Sequence, residues 1–202
     1  MVKDEEMVKW VHRSEDNYVF VLKDALPKNI LDMMEQVLLA YLPIPSFIDG
    51  TNIDKNTRDS EVRFMQYNES NTYVRNWLMN VANEYSSYFP NTDEFGKTIN
   101  SRKGSLLPEP VQVTTYKQNN FYNWHIDGSA QDPRHMTLMA QLSKSDEYEG
   151  GNFEIEDLTL PSFVREKGTV ILMKPHLKHR VTPVLKGERN SMITWFQTTN
   201  KT

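Results

Sequence analysis

The strongest constraint on this chain is a change of hydrophobic period part-way along it. From Pro110 onward the apolar residues fall in short β-prone runs: Val111–Tyr116, Phe121–Ile126, Met136–Leu142, Asn152–Ile155, Thr169–Met173, His179–Leu185 and Ser191–Gln197. Turn residues punctuate them at Asn119-Asn120, Asp127-Gly128, Gly150-Gly151, Pro175 and Lys186-Gly187. Short strands at this spacing predict a sandwich or barrel. The first half reads differently. Tyr18–Lys23 and Glu61–Tyr67 are β-prone, but Asn29–Leu42 carries Ile30, Met33, Met34, Val37, Leu38 and Tyr41 at helical spacing. Pro27 stands where that helix starts, and Pro43 and Pro45 stop it. Asn71–Phe89 predicts a second amphipathic helix, with Val74, Trp77, Leu78, Val81, Ala82 and Tyr85 on one side and Pro90 at its end. Between the helices, Ser46–Ser60 is polar, contains Gly50, and reads as a long loop: a lid over a site, or a solvated surface loop. A boundary near residue 105 separates a helical support and lid region (1–105) from a β core (106–200). The helices need a sheet to cover their apolar faces, so a single domain over 1–202 is expected.

Composition removes several alternatives. The chain has 202 residues, 38% hydrophobic and 25% charged, which argues against disorder. It has no cysteine, so thiol nucleophiles, iron–sulfur clusters and disulfide scaffolds are excluded. No apolar run approaches the ~18 residues of a membrane span, and the charged Met1–Lys9 stretch has no signal-peptide pattern. A cytoplasmic protein with no membrane partner is expected. The net charge of -4 gives no global pull toward nucleic acid, which is not expected as a partner.

His125-Ile126-Asp127 is the first piece of candidate chemistry. On a strand, residues two apart share a face, so an imidazole and a carboxylate converge before Gly128 turns the chain. His179 opens another β-prone run. Two imidazoles and a carboxylate on one face of an octahedron leave the other positions open, which suits non-haem Fe(II) in oxygen activation. A His-x-Asp tripeptide alone is a weak motif. His176 is a rival third ligand, but the alternation His179-x-Val181-x-Pro183 favours His179. His12 lies in a polar stretch, and His135 faces opposite to Arg134. Arg189 follows His179 by ten residues across the Lys186-Gly187 turn. A hairpin of that length would return it beside the strand holding His179. A guanidinium grips a carboxylate bidentately, and Ser191 shares its face. Metal and arginine together fit a small dicarboxylate. The alternative is an exposed arginine beside Glu188, worth little.

These segments resemble the Fe(II)- and 2-oxoglutarate-dependent dioxygenases, in the prolyl-hydroxylase-like branch of bacterial or phage type. The resemblance is carried by Val111–Asp127 (VQVTTYKQNNFYNWHID), Arg134–Ser143 (RHMTLMAQLS), Tyr148–Ile155 (YEGGNFEI) and Gly168–Phe196 (GTVILMKPHLKHRVTPVLKGERNSMITWF). It implies a mainly β fold: a double-stranded β-helix (jelly-roll) core supported by N-terminal α-helices. It implies that His125, Asp127 and His179 are the metal ligands and catalytic centre. It implies that Arg189 binds the far carboxylate of 2-oxoglutarate, with Ser191 as its R-x-S partner and the Tyr116 phenol on the same carboxylate. A buried strand tyrosine is the other reading of Tyr116. Gln141 and Phe153 match positions lining the cosubstrate pocket, and Arg134 and Trp195 match positions toward the substrate.

The implied cofactors are Fe(II), 2-oxoglutarate as cosubstrate and O2, with ascorbate as a candidate reductant. The implied reaction is hydroxylation of a prolyl residue in a peptide or protein, with succinate and CO2 as coproducts. Free proline, another small molecule or nucleic acid are alternatives for the same chemistry, and a non-enzymatic jelly-roll metal-binding module is an alternative of another class. Relatives acting on collagen usually carry Lys at the Arg189 position, which sets collagen-like substrates apart. Nucleic-acid demethylases of this type add a second arginine six residues on, where this chain has Trp195. The Asp127 carboxylate argues against halogenation.

Overall fold

β-branched and aromatic residues alternate with polar ones along the runs above, and these runs pair into sheets because pleated strands bury such side chains well. The structure, a computed structural model, describes residues 9–14, 18–48, 52–89, 106–128 and 134–198. In chain order its elements are β1 (Lys9–Arg13), β2 (Tyr18–Leu22), α1 (Lys28–Ala40), β3 (Ile44–Pro45), β4 (Arg58–Asp59), β5 (Glu61–Met65) and α2 (Thr72–Tyr85). The second half contributes β6 (Leu106–Pro108), β7 (Val111–Tyr116), β8 (Phe121–His125), β9 (Arg134–Gln141), β10 (Tyr148–Gly150), β11 (Phe153–Ile155), β12 (Val170–Met173), β13 (His179–Val181), β14 (Val184–Gly187) and β15 (Arg189–Thr198). A nine-stranded sheet runs β1-β2-β12-β9-β15-β7-β5-β3, with β6 paired to β15. A four-stranded sheet runs β11-β13-β8-β4, and β10 pairs with β14. This is the expected jelly roll with two flanking α-helices.

The large sheet is buried on both faces, and the period of two decides what each face does. On β9, Met136, Leu138 and Ala140 point into a core shared with Ile30, Met34 and Val37 of α1 and Val74, Leu78 and Ala82 of α2. The intervening Thr137 and Met139 line a cavity on the other side. β15 repeats the pattern. Met192 and Phe196 join the helix-covered core, and Ser191, Ile193 and Trp195 face the cavity. A second apolar cluster, with Ile171 and Met173 of β12 against Phe153, Ile155, Val181 and Val184, fills the space between the sheets.

Pro27 opens α1 as expected: its carbonyl accepts the N–H groups of Ile30 and Leu31. The helix ends at Ala40, and Tyr41 is already extended. The expected His179–Leu185 run is in fact two strands, because Pro183 has no N–H to continue a ladder. β13 pairs with β8 and β14 with β10. This corrects the hairpin expectation for Arg189. The chain crosses to the other sheet, so Arg189 begins β15 opposite Tyr116 of β7. The 46–60 segment is not loop throughout, since Arg58–Asp59 pairs with β8. Gly50, Pro90 and the boundary near residue 105 lie outside the described residues. No described helix is long and apolar enough to cross a membrane.

Leu78 is fully buried against the sheet, whereas Leu39 of α1 is 81% exposed. Leu78→Ala is expected to cost about 2–5 kcal/mol of unfolding free energy, and Leu39→Ala to stay within about 0.5 kcal/mol. Denaturant midpoints of the two variants check the docking of α2; equal shifts would contradict it.

Candidate active site

β8 and β13 are antiparallel neighbours, and His125 and His179 stand directly opposite one another. Their rings lie 4.2 Å apart between centroids, tilted by 57°. Each Nδ1 lies 2.7 Å from a backbone carbonyl, that of Asn123 for His125 and that of Leu177 for His179. A carbonyl only accepts, so each Nδ1 carries the proton and donates it, leaving a bare lone pair on each Nε2. Burial, and then the neighbouring His179, hold the His125 imidazole well below the ordinary histidine range, so the ring stays neutral.

Asp127 follows β8 in a turn tied down by its own N–H, which donates to the Pro175 carbonyl at 2.8 Å. Its Oδ1 is 3.8 Å from His125 Nε2 and its Oδ2 is 3.7 Å from His179 Nε2. Thr137 Oγ1 of β9 donates to Oδ2 at 2.9 Å. The three ligand atoms lie within 4.8 Å of one another and could hold a metal ion. They are too far apart to satisfy each other by hydrogen bonds, and all three point lone pairs at one spot, so a cation between them relieves a repulsion the protein otherwise carries. His176 is exposed and is not part of this group.

The site opens into a cavity of about 940 Å³ between the sheets. Arg189 is fully buried on its wall. Among the described residues its Nε has no hydrogen-bond partner, its Nη atoms reach Ser191 Oγ at 3.5 Å and Met139 Sδ at 3.7 Å, and the Tyr148 phenol lies near enough to interact with the guanidinium. Among the described residues no carboxylate pairs with it. Burial lowers the guanidinium from its ordinary value, an effect that an anionic partner reverses. Gly151 makes room for it: at φ +56 it adopts backbone that favours glycine, and an added Cβ would sit 3.2 Å from Arg189 Cδ. Tyr116 is buried with its ring 5.5 Å from the guanidinium, and Phe153 lies 5.6 Å from the His179 ring. Gln141 stands opposite Ser191, on the same face of the sheet, and is buried, but it is not among the described residues that line the cavity.

Arg134 and Trp195 also line the cavity, but Arg134 is heavily committed. Its Nε and Nη2 grip Glu109 bidentately at 2.7 and 2.8 Å, and its Nη1 donates to the Asp127 carbonyl at 2.7 Å. The guanidinium lies 4.0 Å from the Trp195 ring. In this arrangement it braces the turn that presents Asp127. Sequence reasoning missed Glu109, Arg58 and Tyr122. Arg58 and Tyr122 stack at 4.6 Å, and Tyr122 stacks on His125 at 3.4 Å. Tyr122 carried a signal, since it lies in the same run as His125; Arg58 sat in a stretch with no period.

Residues 111–197 match the 2OG-Fe(II) oxygenase superfamily. Over this segment the chain is similar to that superfamily. The family implies Fe(II), 2-oxoglutarate and O2, and the converging lone pairs and unpaired Arg189 fit such a metal and a dianionic cosubstrate. The chain is also similar to a PKHD-type hydroxylase of Idiomarina loihiensis, 33% identical over 43% of this chain and 41% of the relative. A PKHD-type hydroxylase of Teredinibacter turnerae is 28% identical over 59% of this chain and 62% of the relative. The chain thus spans less than two thirds of these curated relatives. Its fold is that of a prolyl-4-hydroxylase of Pseudomonas putida, with a TM-score of 0.64 at 13% identity over 90% of this chain and 92% of the other. A Trichoplax adhaerens prolyl hydroxylase, solved with a hypoxia inducible factor peptide fragment, gives 0.64 at 14% identity over 89% and 83%.

Thr137→Val keeps the shape of the side chain and removes the hydrogen bond to Asp127. The variant is expected to bind Mn(II) about ten- to a hundredfold more weakly, with an unchanged circular dichroism spectrum. Calorimetric titration of the metal checks this.

Proposed function

We propose that this chain is an Fe(II)- and 2-oxoglutarate-dependent oxygenase that hydroxylates a prolyl residue in a peptide or protein, releasing succinate and CO2. The observation that carries the reading is the pairing of two unmet needs in one cavity: three converging lone pairs at His125, Asp127 and His179, and a buried arginine without a carboxylate. Iron and cosubstrate supply the oxidising power that places one oxygen of O2 on a C–H bond while 2-oxoglutarate is split.

The chain's own residues do the rest. His125 and His179 offer neutral Nε2 atoms fixed by their Nδ1–carbonyl bonds, and Asp127 offers a carboxylate steadied by Thr137. Arg189 is placed for the far carboxylate of the cosubstrate, with Ser191 and Tyr116 alongside. Met139, Phe153, Val181 and Ile193 give that end of the cavity an apolar wall that keeps bulk water out. Phe47, Ile48, Val62 and Phe64 form an apolar part of the same cavity, suited to the flank of a peptide. The prolyl assignment draws support from the named activities of the structural neighbours, and from the peptide bound to one of them.

Anaerobic addition of Fe(II) and 2-oxoglutarate is expected to produce a weak visible charge-transfer band; no band would favour a mere metal-binding module. A panel of proline-bearing peptides is expected to include one that gains 16 mass units with matching succinate release. Arg189→Ala is expected to weaken 2-oxoglutarate binding by roughly 3–5 kcal/mol, the scale of stripping a buried charge of its partner, while metal binding persists. Unchanged cosubstrate affinity would remove Arg189 from that role. His179→Ala is expected to abolish succinate formation; surviving turnover would take His179 off the metal.

A further inference from the structure

Among the described residues, five charged side chains line the cavity: Arg58, Glu109, Asp127, Arg134 and Arg189. Arg134 and Glu109 neutralise each other in a bidentate pair. Under the oxygenase reading, on which this inference rests, a divalent iron and a dianionic cosubstrate cancel in charge, and Asp127 balances Arg189. One positive charge is left in the loaded cavity, and it belongs to Arg58.

Arg58 is not a solvated surface arginine. It is 7% exposed. Its Nε donates to Ser60 Oγ at 3.1 Å and its Nη1 to the Phe47 carbonyl at 3.3 Å, both neutral acceptors. Among the described residues no carboxylate pairs with it. The Tyr122 ring, 4.6 Å from its guanidinium carbon, attracts the cation without neutralising it. Tyr122 in turn stacks on His125, so the guanidinium stands two ring-stacking steps from the metal-facing imidazole. Phe47 and Ile48 line the cavity beside it. A buried cation at that distance from the reacting centre, with an apolar wall beside it, is built to be completed by an incoming anion.

We propose that Arg58 receives a carboxylate of the acceptor substrate. The target is then a peptide with an acidic residue next to the proline, or one whose proline carries the free terminal carboxylate. A planar carboxylate suits the guanidinium fork better than a single point charge would.

Two matched pairs of probes test this on the full chain loaded with Mn(II) and 2-oxoglutarate. Acetyl-Pro-Asp-amide against acetyl-Pro-Asn-amide reports an acidic side chain, and N-acetylproline against N-acetylprolinamide reports a terminal carboxylate. In calorimetric titration, the carboxylate member of at least one pair is expected to bind about tenfold or more tightly than its neutral partner. The pair that shows the preference identifies the source. In Arg58→Gln the preference is expected to fall to about twofold or less, while Arg58→Lys retains part of it. Melting temperature and 2-oxoglutarate affinity, measured on both variants, are expected to match the parent. Equal binding within both pairs, binding of no probe, or a preference that persists in Arg58→Gln would overturn the assignment. Failure of 2-oxoglutarate to bind the parent protein would instead condemn the oxygenase reading itself, so the two failures are distinguishable.

Discussion

Both faces of strands β9 and β15 are buried, and the rest of the molecule depends on that. One face carries Met136, Leu138, Ala140, Met192 and Phe196 into the core under the helices. The other carries Thr137, Met139, Arg189, Ser191 and Trp195 to the cavity. A slip of one residue would exchange the two sets. It would drive Arg189 into hydrocarbon and take Thr137 off the Asp127 carboxylate. The helices therefore act on the chemistry without touching it. By burying Ile30, Met34, Val74 and Leu78 against one face, they make only one register of the sheet affordable, and that register aims the polar groups.

Within the cavity, polar groups fall into two kinds. Some are completed by the protein: Arg134 by Glu109, Glu109 additionally by Gln197 Nε2 at 2.6 Å, and the Glu109 carbonyl by Tyr67 and Thr194. Others have no charged partner among the described residues: the two Nε2 lone pairs, the Asp127 carboxylate facing them, and the guanidinium groups of Arg189 and Arg58. Leaving buried charge open is costly, so the open charged groups are the candidates for meeting external molecules. The completed ones are scaffold. Arg134 lines the cavity, as the resemblance implies, and also supports the turn that carries Asp127. Three of its five N–H groups donate to Glu109 and to the Asp127 carbonyl.

The same distinction explains what could be read from the chain alone. The alternation of Val111–Tyr116 and Met136–Leu142 marked strands because both period and β-branched content agree there. Both helices were visible in their apolar spacing. His125, Asp127 and His179 were legible because two lie in one tripeptide and the third opens a run. Arg189 was found for its residue type, but its path was misread. Ten residues read as one hairpin in the sequence, whereas Pro183 breaks the run and the chain goes on to the opposite sheet. The short strands β3, β4, β6 and β10 span two or three residues each, too few for a period to show. Arg58 was hidden for that reason: its neighbours are polar, and only pairing with β8 buries it.

That pairing also joins the outer wall to the metal site. Asn123 of β8 donates its N–H to the Thr57 carbonyl at 2.9 Å and its side-chain amide to the Asn56 carbonyl at 2.8 Å. Its own carbonyl accepts from His125 Nδ1. One residue therefore anchors the segment that leads into Arg58 and orients the imidazole two positions on. At its root the segment is clipped, with the Ser46 and Ser60 hydroxyls 2.8 Å apart. A ligand pulling on Arg58 acts on a strand bonded to the one that sets the His125 ring, through Tyr122 stacked between them. The wall that would recognise the substrate and the side chain that would hold the metal are thus neighbours in one small sheet.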